Sequence, residues 1–590
     1  MGNKTIGLRR SFGAIGLAIG LASLVAAPAR AQFKLTTDQQ AWVDKTLAGM
    51  SLDDKVGQLM FAVTSGVFTP QNSDEFQTIK DNIQKYHVGG YHIEGGGGNP
   101  ASTALLVSRM QQLAGKIPLL ITADLEGGAG SPFPGATRFP RGMAIGATDD
   151  TQYAYDAAHF TALEAKAMGI SVNFYPVVDV NNNPKNPIIN VRSFGEDPAK
   201  VGEFGAAYVK GTEEAGVIAT AKHFPGHGDT SVDSHLELPV LDFDRARLNL
   251  IELPPFEAAI RAGVDAVMVG HIDLAQIEKT PGLPASLSPA VITGLLRNDL
   301  GFKGLVFTDG LPMHAITEHF GAAQAVVMAI EAGADVALEP ADIPKSFEAL
   351  KAAANKGDIS QERLDASVRR LLEAKAWEGL PSHATPDLSA LDTLVGTHEA
   401  RQKAEEIMDH AVTLVKDDQH AIPLKLDSSE DVLLLNFTDA GSGEAGDSAG
   451  ETFRDEFVRR HPQTVYVNVP PTASDDELDL IERLLPRYHT VVVSTTVRIG
   501  AYKRGGLGLN ETQLYLLREV SRHDGPTVVA SFGSPYVLDD VPDLPGYAAA
   551  YETYPGAEAA MVRALFGEIP FQGKLPVTVS TFPVGSGLKR

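Results

Sequence analysis

From Lys34 to Ala376 the chain repeats one unit eight times: a short apolar run, then a polar or amphipathic stretch. The runs lie at 56–63, 86–93, 117–124, 170–179, 217–223, 266–271, 304–309 and 334–339, each bounded by Gly, Pro or polar residues. Most are apolar throughout rather than at alternate positions. Strands buried on both faces read this way, and they occur in parallel sheets covered by helices. The intervening segments 150–167, 198–215 and 289–299 carry apolar residues at helical spacing. Eight strand–helix units predict a (β/α)8 barrel.

The barrel does not use up the chain. One hydrophobic core rarely grows beyond roughly 250–300 residues, and this protein has 590. Gly379, Pro381, Pro386 and Gly396 punctuate a connector. A helix is expected over 399–415, and then strand-like runs return at 432–437, 464–469, 490–495, 527–531 and 547–551. They predict a second, smaller parallel sheet with helices on its faces. The expected divisions are a leader at 1–31, a barrel domain at 32–378, a connector at 379–400 and a second domain at 401–590.

Composition narrows the partners. Asp+Glu exceeds Lys+Arg by 74 to 50, a formal charge of -24. Nucleic acids and anionic membrane surfaces recruit basic patches, so both are unfavourable partners. With no cysteine, disulfides, thiolate metal sites and thiol catalysis are excluded. Lys4, Arg9 and Arg10, the apolar stretch 12–27 and Ala29-Arg30-Ala31 read as an export signal with its cleavage site, and Arg9-Arg10 admits a twin-arginine route. Export to the periplasm or beyond is expected. No later run is long enough to span a bilayer, which takes about 20 apolar residues, so stable membrane insertion is not expected.

Chemistry concentrates at the carboxyl ends of the expected strands, the end of a (β/α)8 barrel where active sites lie. Asp124, Asp179, Lys222, His223, His271 and Asp309 all fall there. The densest stretch is Lys222-His223-Phe224-Pro225-Gly226-His227-Gly228-Asp229-Thr230-Ser231-Val232-Asp233-Ser234-His235. Its Pro and Gly residues make it a shaped loop. His227 and Asp229 read best as hydrogen-bonders that fix the loop. Asp233 and His235, two residues apart, can pair so that the carboxylate orients the imidazole and raises its basicity. Such a His can protonate a leaving oxygen and later deprotonate water. Asp309 ends a buried apolar strand, where a carboxylate is costly unless paired or used. It reads either as a cap for the next helix or as a nucleophile for an anomeric carbon.

These stretches resemble glycoside hydrolase family 3, specifically its β-N-acetylglucosaminidase branch. The resemblance rests on 222–230 with Asp233-Ser234-His235, on Asp124-Leu125-Glu126-Gly127-Gly128, on 176–197 running into Arg192-Ser193-Phe194-Gly195-Glu196-Asp197-Pro198, and on Gly301-Phe302-Lys303-Gly304 leading to Thr308-Asp309. Gly567-Glu568-Ile569-Pro570-Phe571-Gln572-Gly573-Lys574-Leu575-Pro576-Val577 is similar to part of the family's C-terminal α/β sandwich. The resemblance implies a TIM barrel followed by that sandwich, with no cofactor and no metal. It implies a retaining enzyme that removes terminal β-linked N-acetylhexosamine from cell-wall or chitin-type oligosaccharides. Asp309 would form the glycosyl-enzyme, and His235, oriented by Asp233, would act as acid and base. Asp124, Arg192, Lys222, His223 and, more weakly, His271 would hold the sugar. A neutral imidazole also repels an anionic acceptor less than a carboxylate would, which leaves room for phosphorolysis.

Two departures stand out. The family's Arg-containing segment after Asp124–Gly128 is replaced by Ala129-Gly130-Ser131-Pro132-Phe133, with Arg138 only later, and Gly310 stands where an Asp or Ala often follows the nucleophile. Glu94-Gly95-Gly96-Gly97-Gly98 lacks the Gly-Lys-Ser/Thr ending of a phosphate loop and reads as an active-site rim; Gly505-Gly506-Leu507-Gly508 has the wrong spacing for a dinucleotide site, and Asn510 with Gln513 reads as a helix start. The rival functions are a metal-dependent hydrolase using His223, His227, Asp229, Asp233 and His235, and a non-catalytic glycan-binding protein.

Overall fold

The computed structural model describes residues 1–2, 33–439, 449–499 and 508–590. The leader read over 1–31 therefore lies, but for its first two residues, outside the described residues, as do residues 505–507 of the glycine-rich stretch. All eight expected strands are present: β1 Met60–Thr64, β2 Gly90–Ile93, β3 Leu120–Ala123, β4 Val172–Asn173, β5 Ile218–Phe224, β6 Ala266–Val269, β7 Leu305–Thr308 and β8 Ala337–Leu338. They pair in parallel in the order β8-β1-β2-β3-β4-β5-β6-β7, and a bridge between Phe307 and Val336 joins β7 to β8, closing the barrel. β1 begins later than expected because Leu52–Gln58 is a helix, capped by Ser51 with Asp54 in a reciprocal pair. β4 is short, but its pairing with β5 resumes beyond it: Lys222 N–H donates to the Pro176 carbonyl, and a parallel bridge joins Val177 to Lys222.

The barrel interior is packed with aromatic side chains. Phe307 lies edge-on to Phe61 at 5.6 Å and to Phe174 at 5.2 Å, and His92 stacks on Phe174 at 5.4 Å. This layer lies below the strand ends that carry the polar residues. Truncating any of the three Phe rings would cost about 3–5 kcal/mol through lost contacts and a residual cavity.

The second sheet has six strands: β9 Thr413–Asp417, β10 Val432–Thr438, β11 Thr464–Val469, β12 Thr490–Val497, β13 Thr527–Gly533 and β14 Gly546–Ala549. The order is β9-β14-β13-β12-β10-β11, parallel except for β9 against β14. One expectation is corrected here. The helix placed at 399–415 is His398–Ala411, and its tail is the edge strand β9. Thr413 and Val415 are β-branched, and β14 offers them an open edge, so pairing wins over another helical turn. Asn510 caps helix Glu511–Ser521 and pairs with Gln513, as expected.

Helix His398–Ala411 belongs to both cores. Ala400, Ala404 and Ile407 pack into the barrel core, whereas Met408 and Ala411 pack into the second. Buried polar contacts tie the seam. Glu552 accepts from the backbone N, Nε and Nη2 of Arg141 at 2.7–3.2 Å. Asn181 Nδ2 donates to the Tyr536 hydroxyl at 2.9 Å, and the Thr578 hydroxyl donates to Glu196 at 2.6 Å. The last two hold the loop after β4, which carries Arg192.

Candidate active site

Asp309 follows β7, and its backbone N–H donates to the Val269 carbonyl of β6 at 2.9 Å. Its Oδ1 accepts from the Gly310 N–H at 2.8 Å. Burial would push this carboxyl up. The facing His223, His271 and His235 rings and the Gly310 N–H outweigh burial and hold it well below the usual carboxylate range. A carboxylate kept ionised in a partly dry pocket is the state a nucleophile needs.

Across the barrel, four charges form two pairs. Glu126 accepts from Arg192 through two parallel bonds, Nε at 2.8 Å and Nη2 at 2.7 Å. Lys222 Nζ lies 2.8 Å from Glu126 and also donates to Asp124. Burial would raise the Glu126 carboxyl, but the two cations hold it well below the usual range. Burial would likewise lower Lys222, but Asp124 and Glu126 keep it protonated and raise it. The quartet is charge-balanced, which is how two cations can sit in a partly buried wall and still present N–H donors to a ligand.

His223 is fixed from both sides. Its Nδ1 lies 2.8 Å from Asp179 Oδ2, and its Nε2 lies 3.3 Å from Arg192. Asp179 is fully buried and also accepts from the His227 N–H at 2.7 Å, so one carboxylate anchors the start of the long loop. His227 is a fastener, as the sequence reading held. Its ring nitrogens meet the Thr230 and Ser234 hydroxyls at 2.9 and 3.1 Å, and burial pushes its pKa down to about 4. Asp229 pairs with Arg247 at 3.0 Å. Gly228 is required by close approach, since a Cβ there would meet the Val180 carbonyl at 1.8 Å.

The loop's far end carries the expected dyad. One oxygen of Asp233 accepts from the His235 backbone N at 2.9 Å and faces its Nδ1 at 2.7 Å. Asp233 is nearly buried, whereas His235 keeps about a quarter of its side chain exposed. Asp309, His235, Asp124, Arg192, Lys222 and His223 all line one cavity of about 450 Å3, within the span of small-ligand sites. Asp233 supports it from behind. His271 does not line it. That ring is fully buried, with its nitrogens at 2.7 Å from the Ser286 hydroxyl and 2.9 Å from the Gly310 carbonyl, so it braces the turn after Asp309 from below.

Three ionisable lining residues, Glu126, Glu339 and His92, join the expected set. Glu126 stands two residues after a strand-end Asp, which is signal enough in the sequence. Glu339, the last residue of the eighth expected run, was equally visible as an ionisable strand end. His92 was hidden inside an apolar run. The rim reading of Glu94–Gly98 holds for Glu94, which lines the cavity. Arg138 does not replace the missing Arg; its guanidinium lies 5.0 Å over the Tyr554 ring at the domain seam. Among the described residues, no three His, Asp or Glu side chains converge as metal ligands, because the loop's imidazoles are turned toward hydroxyls and carboxylates of their own scaffold.

Comparisons with known proteins agree with this layout. A family model described as the glycosyl hydrolase family 3 N terminal domain matches residues 51–374. A β-N-acetylglucosaminidase/β-glucosidase of Cellulomonas fimi is 34% identical, covering 94% of this chain and 98% of that protein. β-Hexosaminidase A of Pseudoalteromonas piscicida is 31% identical over 85% of this chain and 91% of that protein. The solved structure of a glycoside hydrolase family 3 β-N-acetylglucosaminidase from Paenibacillus sp. str. FPU-7 matches with a TM-score of 0.79 at 36% identity, covering 90% of this chain and 99% of that one.

Proposed function

The chain belongs to glycoside hydrolase family 3 and is a glycosidase, and from that premise we propose that it is a retaining β-N-acetylglucosaminidase acting on the non-reducing ends of β-linked oligosaccharides. The carrying observation is that an ionised Asp309 and a His235 tied to Asp233 line the same cavity. The names borne by the relatives from Cellulomonas fimi and Pseudoalteromonas piscicida support the sugar assignment. Met268 lines the cavity from within β6, below the strand end, and Leu338 lines it at the end of β8. A pocket closed beneath in this way suits a chain end rather than a mid-chain segment.

In the first half-reaction an Asp309 carboxylate oxygen attacks C1 of the terminal sugar. The C1–O bond to the leaving sugar breaks as protonated His235 delivers its proton to that oxygen. In the second, His235 takes a proton from water, the water oxygen attacks C1, and the bond from C1 to Asp309 breaks. Two displacements return the β configuration. Asp233 keeps the imidazole oriented and stabilises its charged form. The quartet of Asp124, Glu126, Arg192 and Lys222, with His223, holds the hydroxyls far from C1.

The natural substrate is a cell-wall or chitin-type fragment in this reading, and the leader-like first residues support a location outside the cytoplasm. Secretion of a protein whose mature N-terminus is Gln32 would bear that out; an unprocessed cytoplasmic product would refute it. The activity itself is tested with 4-nitrophenyl β-N-acetylglucosaminide. The β-anomer must be the first product seen by NMR. Asp309→Ala must lose at least about 10^4 in kcat while keeping its circular dichroism. An α-anomer as first product, or a near-normal rate in the variant, would sink the reading.

A further inference from the structure

The cavity wall contributed by β8, β1 and β2 holds a group that the proposed chemistry leaves unused. Glu339 directly follows β8 with φ at 54°, in the left-handed region. That conformation costs a non-glycine residue about 1–2 kcal/mol, and such residues collect at ligand sites. Its carboxyl lines the cavity with only 17% of the side chain exposed. Among the described residues no donor hydrogen-bonds it. The nearest cation-capable group is His92 Nε2 at 3.7 Å, beyond hydrogen-bond reach. Burial, followed by Glu94, Asp124 and Asp309, pushes its pKa up to about 8. At neutral pH it is therefore an uncharged acid, with one O–H donor and one carbonyl acceptor facing the pocket.

The neighbouring turn makes room for it. A Cβ on Gly310 would lie 3.3 Å from Glu339 Oε2, tighter than ordinary packing. The absence of an Asp or Ala side chain after Asp309 and the presence of an acid at the end of β8 are therefore one arrangement.

The barrel order orients the sugar. If Asp309 on β7 attacks C1, the ring extends toward Asp124, which follows β3 on the opposite side. One flank then faces β8, β1 and β2, with Glu339, Glu94 and His92. The other faces β5 and β6, with Lys222, His223 and the loop of His235. An acetamido carbonyl accepts hydrogen bonds, so it belongs on the donor-rich β5 side. A primary hydroxyl can donate to carboxylates and accept from an acid, so it belongs on the Glu339 side.

We propose that Glu339 is a specificity-determining residue that hydrogen-bonds the C6 hydroxyl of the terminal sugar. The assignment rests on the reading of Asp309 as the group that attacks C1. It is tested with wild type, Glu339→Gln and Glu339→Ala on 4-nitrophenyl β-N-acetylglucosaminide and its 6-deoxy analogue. The ratio of the two kcat/KM values is taken within each variant, so a partly unfolded preparation cancels. Wild type should prefer the 6-hydroxyl substrate at least about tenfold, since a site built to bond a hydroxyl rejects the analogue lacking it. Glu339→Ala should bring the ratio to within about threefold of unity, through the hydroxylated substrate alone. Glu339→Gln, which keeps a donor and an acceptor, should retain most of the preference. An unchanged ratio in Glu339→Ala overturns the proposal, whatever the overall rate. So does a loss of discrimination at C2 instead, read as N-acetylglucosaminide against glucoside. Wild type inert on both substrates would instead bring down the underlying reading of function.

Discussion

Replacing Glu339 with Gln should stabilise the protein at high pH and do nothing at low pH. The carboxyl is shifted from its ordinary 4.5 to about 8 by burial and by Glu94, Asp124 and Asp309. The native state thus holds a proton that the unfolded chain releases at lower pH, so stability is fully present below pH 4.5 and drains away as pH rises to 8. The interval of 3.5 units, 8 minus 4.5, is worth about 5 kcal/mol at 1.36 kcal/mol per unit. Water in the cavity screens part of this, leaving a few kcal/mol, or roughly 5 °C in midpoint for a protein of this size. Gln has the shape of the neutral acid and no proton to lose. Thermal melts of both proteins from pH 4.5 to 9 test this, because every other titration cancels in the difference. The midpoints should coincide near pH 4.5 and separate progressively, with Glu339→Gln the higher. A gap that stays constant across the range would show a carboxyl titrating as in water, and would remove the claim that it is an uncharged donor at neutral pH.

His235→Ala should lose about 10^2–10^4 in kcat/KM on an alkyl glycoside but far less on the nitrophenyl substrate, whose leaving oxygen needs no proton; equal losses would count against His235 as the acid. Lys375 is fully buried and donates to the Gln58 side-chain oxygen, and burial drives it from 10.5 down to about 7. Its depressed pKa means stability present above pH 10.5 is lost as pH falls toward 7, so Lys375→Met should raise the thermal midpoint near pH 6, with the gain shrinking at alkaline pH; a lower midpoint near pH 6 would contradict this. Inorganic phosphate should leave the free sugar as product, because Asp309 and Glu94 face any anion entering a cavity whose Arg192 and Lys222 are already paired; a sugar 1-phosphate would show otherwise.

The eight runs between Lys34 and Ala376 marked the barrel because a strand covered on both faces must be apolar along its length, and no other common element needs eight such runs in a row. Asp309, Asp124, Lys222 and His223 were legible for a related reason: an ionisable residue at the end of a buried strand stands out against its surroundings. Where the text misled, a neighbour decided. Residues 412–415 could have extended a helix, and the open edge of β14 made them a strand. Among the three histidines of the long loop, spacing separated the Asp233–His235 pair from His227. It was Thr230 and Ser234 that showed His227 to be a fastener.

The sequence by itself determined the barrel, the second sheet and the strand ends that carry charge, since burial pattern and chain order are local properties of the text. Only the folded chain decided which of those charges face one another. Glu126 between Arg192 and Lys222, His271 beneath Gly310, and Glu339 beside Asp309 are separated by tens of positions along the chain. Closing the barrel brings β8 against β1 and β7, and ionisation in a pocket depends on the nearest charge and the nearest water, which no stretch of sequence contains.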